Sequence, residues 1–140
     1  MSFVNEKAVK AVRKPGRCDA CMQMVEIGQP AVRWAGITDG QFDTSLYHPE
    51  CRAAEIALNR LHDTDRWQDE WIGLSDIDWE DWRWLVEEHP VVAERKGITL
   101  AKVEETERER KETHLAWAAI ARQRAEQRQA ATIGPQDGGK

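Results

Sequence analysis

Three cysteines and one histidine stand at spacings that are typical of metal ligands. Cys18 and Cys21 are separated by two residues, and His48 and Cys51 repeat that spacing after an insert of 26 residues. Thiolates and a neutral imidazole are ligands that zinc prefers, and four of them complete a tetrahedral structural site. Because this pattern uses every cysteine in the chain, the sequence predicts one structural Zn²⁺ bound by these four side chains rather than an accidental set of thiols.

Residues on either side of these ligands predict the elements that position them. Pro15-Gly16 predicts a turn ahead of the first pair. Within the insert, loosely alternating apolar residues surround Asp39-Gly40, and Asp-Gly between apolar runs is typical of a β-hairpin, so we expect two or three short antiparallel strands. Residues 50–61 have helical spacing, and Pro49 suits the first helical position. The predicted fold class is therefore α+β: a small treble-clef-like zinc module of knuckle, β-hairpin and helix, followed by helical extensions.

Several residues beside the ligands also occur at matching places in a known zinc-binding family. They are Gly16 and Arg17 ahead of Cys18, then Ile27, Ala31 and Arg33 in the insert, and Tyr47 ahead of His48. Together with the ligand order, they resemble the poly(ADP-ribose) polymerase-type zinc finger. The resemblance implies binding to DNA ends or distorted DNA, with the metal in a structural role. In its compact form the segment is also similar to small zinc-finger proteins of phages and bacteria.

Basic residues near the N-terminus and beside the ligands are candidates for contact with phosphate groups. A lead-in of five cations precedes the first cysteine, and it is consistent either with an arm that follows a nucleic-acid backbone or with a solvated terminal segment. Two further arginines lie in the insert and in the helix. The predicted nucleic-acid contacts are Lys7, Lys10, Arg13, Lys14, Arg17, Arg33 and Arg52. We therefore expect residues 1–62 to form a zinc-finger module with a basic N-terminal arm.

The middle of the chain differs from the finger in charge and in aromatic content. Residues 61–90 carry 2 basic and 10 acidic side chains, and five of the seven tryptophans lie in this segment. Such a segment either supplies large side chains to the core of a small domain or presents a surface that binds a basic protein, since tryptophan is a favoured interface anchor. The predicted protein contacts are Trp79, Trp82, Trp84 and Trp117.

Residues 63–97 are expected to form short helices that pack on the finger. Capping residues predict one helix through Trp67 and Trp71 and a second that begins at Trp79 and ends before Pro90. The acidic faces of these helices are expected to point into water.

The C-terminal part is predicted to be one long, charged helix with a disordered tail. Thr99 is a candidate cap for a helix over residues 98–131. Residues 104–113 contain no apolar side chain, whereas apolar residues return around Leu115. Residues 132–140 are rich in glycine and are expected to be the disordered tail.

Composition and motifs also bound the class of function. The chain has 140 residues, a net charge of −5 and three cysteines, and it shows no apolar run typical of a signal peptide or a membrane span. Cysteines in a metal pattern predict a reducing, cytoplasmic setting. Paired carboxylates such as Asp76 and Asp78 have no nucleophile or phosphate-binding loop beside them, so neither an enzymatic activity nor a small-molecule substrate is predicted.

The sequence therefore predicts a non-enzymatic zinc-binding interaction protein that associates with nucleic acid. The alternative is a protein-binding adaptor or inhibitor that uses its acidic, tryptophan-rich surface, for example as a DNA mimic with an anti-defence role. The two hypotheses differ in the partner, which is nucleic acid in the first case and a basic protein in the second.

Overall fold

The computed structural model describes residues 3–38, 40–64 and 70–137. The chain is α+β, with a three-stranded antiparallel sheet and a small two-stranded hairpin, which confirms the predicted fold class. The strands are β1 (Phe3–Val9), β2 (Gly16–Arg17), β3 (Met24–Val25), β4 (Ala31–Thr38) and β5 (Gln41–Tyr47). The helices are α1 (Pro49–Leu61), α2 (Trp82–Glu88), α3 (Pro90–Arg95) and α4 (Leu100–Asp137).

The larger sheet has the strand order β1-β4-β5, so β4 is its central strand. β4 and β5 form the hairpin that the Asp-Gly pair predicted, and Gly40 has a φ of +78°, which suits glycine in a tight turn. Asp39 itself lies outside the described residues.

Strand β1 was not predicted, because residues 7–17 were interpreted as a basic arm. Phe3–Val9 instead pairs with the whole outer edge of β4, from Phe3 opposite Ile37 to Val9 opposite Ala31. The unpaired backbone groups of a sheet edge favour such an added strand whatever the side-chain charges are. Residues 7–9, the first three of the expected arm, are therefore part of the sheet.

Helix α1 begins as the sequence predicts, with Pro49 in its first turn. Ala54 and Leu58 are fully buried on the face of α1 that packs against β4 and β5. The same helix also buries two polar side chains, Glu55 and Asn59, of which Glu55 is only 1% exposed. Buried polar groups are stable only when they are hydrogen-bonded, so both residues require partners from other elements.

The partners of Glu55 come from three parts of the chain. Its carboxylate accepts hydrogen bonds from Nη1 of Arg52 at 2.8 Å, from Nε1 of Trp71 at 3.2 Å and from the backbone N–H of Leu74 at 2.9 Å. Arg52 also binds the carboxylate of Glu6 on β1 at 2.6 Å. This buried network joins β1, α1 and the segment that follows α1.

Asn59 connects the same segments through its amide. Its Oδ1 accepts from the backbone N–H of Ile72 at 2.7 Å and from Oγ1 of Thr64 at 2.6 Å. Its Nδ2 donates to the backbone carbonyl of Ile72 at 2.9 Å. Thr64 and Ile72 are therefore fixed to α1 by hydrogen bonds.

The segment after α1 packs against α1. Its helices differ from those that the sequence predicts. The helix predicted through Trp67 falls mostly on residues 65–69, which lie outside the described residues. The second predicted helix is a 3₁₀ turn at Trp79–Asp81 followed by α2. α2 ends at Glu88, before Pro90, and Pro90 then begins α3, because proline is well tolerated in the first turn, where no N–H partner is needed.

The chain forms two compact units, Met1–Val103 and Glu104–Lys140. Helix α4 begins as expected: the hydroxyl oxygen of Thr99 accepts the N–H of Lys102 at 3.1 Å. The helix ends at Asp137, beyond the boundary predicted at residue 131, so residues 132–137 of the expected disordered tail are helical. The alanine-rich turns before residue 131 favour continuation of the helix. No helix among the described residues is long and apolar enough to cross a membrane.

We predict that Glu55→Ala lowers the free energy of unfolding of the zinc-loaded protein by about 3 kcal/mol, because it removes one of the two carboxylates paired with Arg52 and the acceptor of the Trp71 and Leu74 N–H groups. Urea unfolding followed by tryptophan fluorescence measures this loss. Glu105→Ala, an exposed glutamate on α4, is the matched control and should change stability by less than about 0.5 kcal/mol. Equal effects of the two variants would contradict a structural role for the network.

Candidate metal centre

The two predicted ligand pairs come from a tight hairpin and from the start of a helix. Cys18 and Cys21 lie in the turn between β2 and β3, where the N–H of Met22 donates to the carbonyl of Cys18 at 2.9 Å. Met22 has a φ of +66°, a left-handed conformation that a knuckle turn requires of one residue. His48 immediately precedes α1, and Cys51 lies in its first turn.

The knuckle, which is the turn between β2 and β3, is hydrogen-bonded to the end of β5, the strand that directly precedes His48. The carboxylate of Asp19 accepts the N–H of Leu46 at 2.9 Å, and the N–H of Asp19 donates to the carbonyl of Leu46 at 2.9 Å. A β-carbon at Gly16 would lie only 2.7 Å from Cδ2 of Leu46, so glycine allows this close approach. These contacts hold the first ligand pair next to the end of β5 and therefore close to His48.

The four predicted ligands converge in one buried cluster. Their ligating atoms all lie within 4.8 Å of one another, and all four residues are buried. Nδ1 of His48 is 3.4 Å from the sulfur of Cys21 and 3.8 Å from the sulfur of Cys51. Ordinary zinc–sulfur and zinc–nitrogen bonds in a tetrahedral site place such atoms about 3.6 Å apart. The donor set and its geometry are therefore compatible with one zinc ion.

The histidine is oriented by a backbone group on its other side. Nε2 of His48 lies 3.2 Å from the carbonyl oxygen of Met24, to which it donates when Nδ1 is the ligand. A second partner of this kind fixes the tautomer and the ring plane of a metal-binding histidine. The backbone N–H of Gln23 similarly donates to the sulfur of Cys21 at 3.4 Å.

The three thiols influence one another strongly. A hydrogen bond from Cys51 lowers the pKa of Cys18 to about 4, whereas the same hydrogen bond and burial raise the pKa of Cys51. Burial raises the pKa of Cys21 as well. The cluster thus accepts one negative charge readily and resists further ones, because like charges would be buried together. A divalent cation removes that resistance and allows three thiolates to coexist.

Two cationic side chains, Arg95 at the end of α3 and Lys96 immediately after it, also contact residues of the metal centre. The sequence did not predict either contact. Nη1 of Arg95 lies 3.7 Å from the sulfur of Cys51 and 3.1 Å from the carboxylate of Glu50. Nζ of Lys96 donates to the carbonyl of Ala20 in the knuckle at 3.1 Å, and burial lowers the pKa of Lys96. No sequence motif marks these residues, since they stand more than 40 positions after the last ligand.

Most of the predicted nucleic-acid contacts lie exposed on one side of the sheet and in the loop that follows β1. The pairing of β1 with β4 places Lys7 directly opposite Arg33. A shallow groove of about 610 Å³ lies among these residues, and no acidic residue in the described part of the chain lines it. The basic residues that line the groove are Lys7, Lys10, Arg13, Lys14 and Arg33. Arg17 is exposed on β2 and does not line the groove.

Arg52 is an exception, and its predicted contact with nucleic acid is corrected here. The residue is only 9% exposed, and its guanidinium is paired with Glu6 and Glu55. It also lies over the rings of Tyr47 and Trp71, 5.2 and 5.3 Å from their centroids. A guanidinium with two carboxylates and two aromatic faces has no free side for a phosphate, so Arg52 is structural.

The tryptophans predicted to contact protein differ in exposure. Trp79, Trp82 and Trp84 are each half-buried, and the last two pack against the core. Nζ of Lys102 lies 5.3 Å from the ring centroid of Trp82. Trp117 on α4 is 62% exposed, and it belongs to the other compact unit.

Comparison with protein-family models, with curated proteins and with solved structures finds no match to this chain. The resemblance to the poly(ADP-ribose) polymerase-type finger therefore stays a prediction that rests on the residues between Gly16 and Cys51.

We predict that His48→Ala abolishes stable binding of one zinc ion per chain and unfolds the finger. Structural zinc sites contribute on the order of 10 kcal/mol of apparent binding energy, much of which is folding energy. Native mass spectrometry measures the zinc content, and thermal unfolding with and without a chelator measures the stability. His114→Ala, an exposed histidine on α4, should retain full zinc content. A His48→Ala protein with one tightly bound zinc and an unchanged Tm would contradict the assignment.

Proposed function

We propose that this protein binds nucleic acid through the basic groove between the sheet and the loop after β1, and that its zinc ion is structural. The observation that carries the proposal is the set of five cations around one groove with no carboxylate among its lining residues. The other residues that line it are Ala8, Val9, Ala11 and Val12. Phosphate is the anion that such a row of lysines and arginines attracts most generally in cells.

The pair formed by Lys7 and Arg33 strengthens this proposal. Like charges directly opposite each other on neighbouring strands destabilise a sheet. Other arginines of this chain form ion pairs with nearby carboxylates; Arg95, for example, pairs with Glu50. Among the described residues, neither Lys7 nor Arg33 forms an ion pair with a carboxylate. An anionic partner that lies across both strands would relieve their mutual repulsion.

The donor set of the metal centre favours a structural zinc ion rather than a catalytic one. Four protein ligands fill a tetrahedral zinc, whereas catalytic sites keep one position for water or substrate. A full set of ligands therefore supports the absence of an enzymatic activity at this centre. In this proposal the zinc holds the knuckle against α1, and the knuckle in turn supports the sheet that presents the groove.

The protein-binding alternative receives less support from the described residues. The indoles of Trp79, Trp82 and Trp84 are half-buried, so little of their surface remains for a partner. A basic protein is nevertheless the partner expected if the groove fails to bind nucleic acid, and the following experiment separates the two.

We predict that Lys7→Gln/Arg33→Gln weakens binding to a labelled oligonucleotide by about 10-fold or more at moderate salt. Each lost phosphate contact should also reduce the slope of log affinity against log salt concentration by about 0.9 for duplex DNA. Fluorescence anisotropy with single-stranded, nicked and duplex DNA over a salt series measures both quantities. The double variant should fold normally, because it removes a like-charge pair.

The matched control is Arg122→Gln/Arg124→Gln, which removes the same charge from exposed positions of α4. It should leave affinity within about 2-fold of the parent if the groove is the binding site. Equal losses in the two variants would indicate a general charge effect and contradict the groove. Absence of binding by the parent protein at low salt would contradict nucleic-acid binding altogether.

A further inference from the structure

We propose that Arg95 and Lys96 form an outer shell of the zinc site that retains the metal. This inference is independent of the proposed nucleic-acid binding. It assigns a role to the segment between α1 and α4, which contributes none of the four ligands.

The charge of the site provides the first argument. One Zn²⁺ bound by three thiolates and a neutral imidazole has a net charge of roughly −1. The sulfurs of Cys18 and Cys51 are completely buried, so water does not solvate this charge well. The guanidinium of Arg95, 3.7 Å from the sulfur of Cys51, is placed to offset it.

The contacts of α3 provide the second argument. Val92 and Ala93 are buried and anchor α3 within the core of its unit. The side chains of Arg95 and Lys96 reach different halves of the metal centre. Arg95 contacts Cys51 at the start of α1, and Lys96 contacts the carbonyl of Ala20 in the knuckle. The end of α3 thus bridges the two ligand pairs from outside the coordination sphere.

The charge-assisted hydrogen bond from Arg95 holds the sulfur of Cys51 in the position from which it binds the metal. The bridge also restrains the knuckle from moving away from α1, which is the motion that opens a site of this kind. Both effects slow the loss of zinc. Glu50 assists by holding the guanidinium of Arg95 at 3.1 Å.

The test is the rate at which the full-length, zinc-loaded protein transfers zinc to an excess of a chromogenic chelator. Arg95→Gln should release zinc on the order of 10-fold faster than the parent, and Lys96→Gln should also accelerate release. Arg95→Lys should restore part of the retention, because it keeps the charge. Glu94→Gln, an exposed neighbour on the same helix, should have no effect.

A second measurement separates contact with sulfur from general loosening of the helix. In Co²⁺-substituted protein, Arg95→Gln should shift the sulfur-to-cobalt charge-transfer band, since it removes a hydrogen bond from Cys51. Val92→Ala, which loosens α3 without touching the cluster, should leave that band in place. The proposal is overturned if Arg95→Gln changes neither the release rate nor the band, or if Val92→Ala reproduces both changes.

Discussion

The structure depends on bringing three thiols and an imidazole together in the interior of a small protein. Their ligating atoms lie within 4.8 Å of one another, and sulfurs this close cannot all ionise unless a cation joins them. The hairpin of β2 and β3 is also held to the end of β5 through Asp19 and Leu46, and to the end of α3 through Lys96. A zinc ion bound by these four side chains would join the hairpin directly to the start of α1 and so link the hairpin, the sheet and the helix.

The other buried polar side chains are also a consequence of the small size of the protein. A domain with few large apolar side chains must use polar groups to join its elements, and each buried polar group needs a partner. Glu55 and Asn59 on α1 serve this purpose by binding the backbone around Ile72 and Leu74. The helix thus supplies a metal ligand at its start and anchors the following segment further along.

The sequence predicted those features that short-range patterns determine. The β4–β5 hairpin and the start of α1 follow from an Asp-Gly pair and Pro49, which act within a few residues. Their spacing also led us to expect that Cys18, Cys21, His48 and Cys51 lie close together, as they do. Features that depend on distant partners were missed. β1 exists because β4 offers a free edge, and Arg95 acts on Cys51 across 44 positions of sequence. No local pattern encodes either relation.

The different environments of Arg33 and Arg52 show why residue type alone does not identify a binding surface. Arg33 lies in the insert between the two predicted ligand pairs, Arg52 directly follows Cys51, and both are predicted from the sequence to contact nucleic acid. Arg52 meets the carboxylates of Glu6 and Glu55 and is buried. Arg33 on β4 lies directly opposite Lys7 on the neighbouring strand β1, and it remains exposed. The position of nearby carboxylates therefore distinguishes a structural cation from one available to a partner, and a net charge of −5 for the whole chain does not argue against a local basic groove.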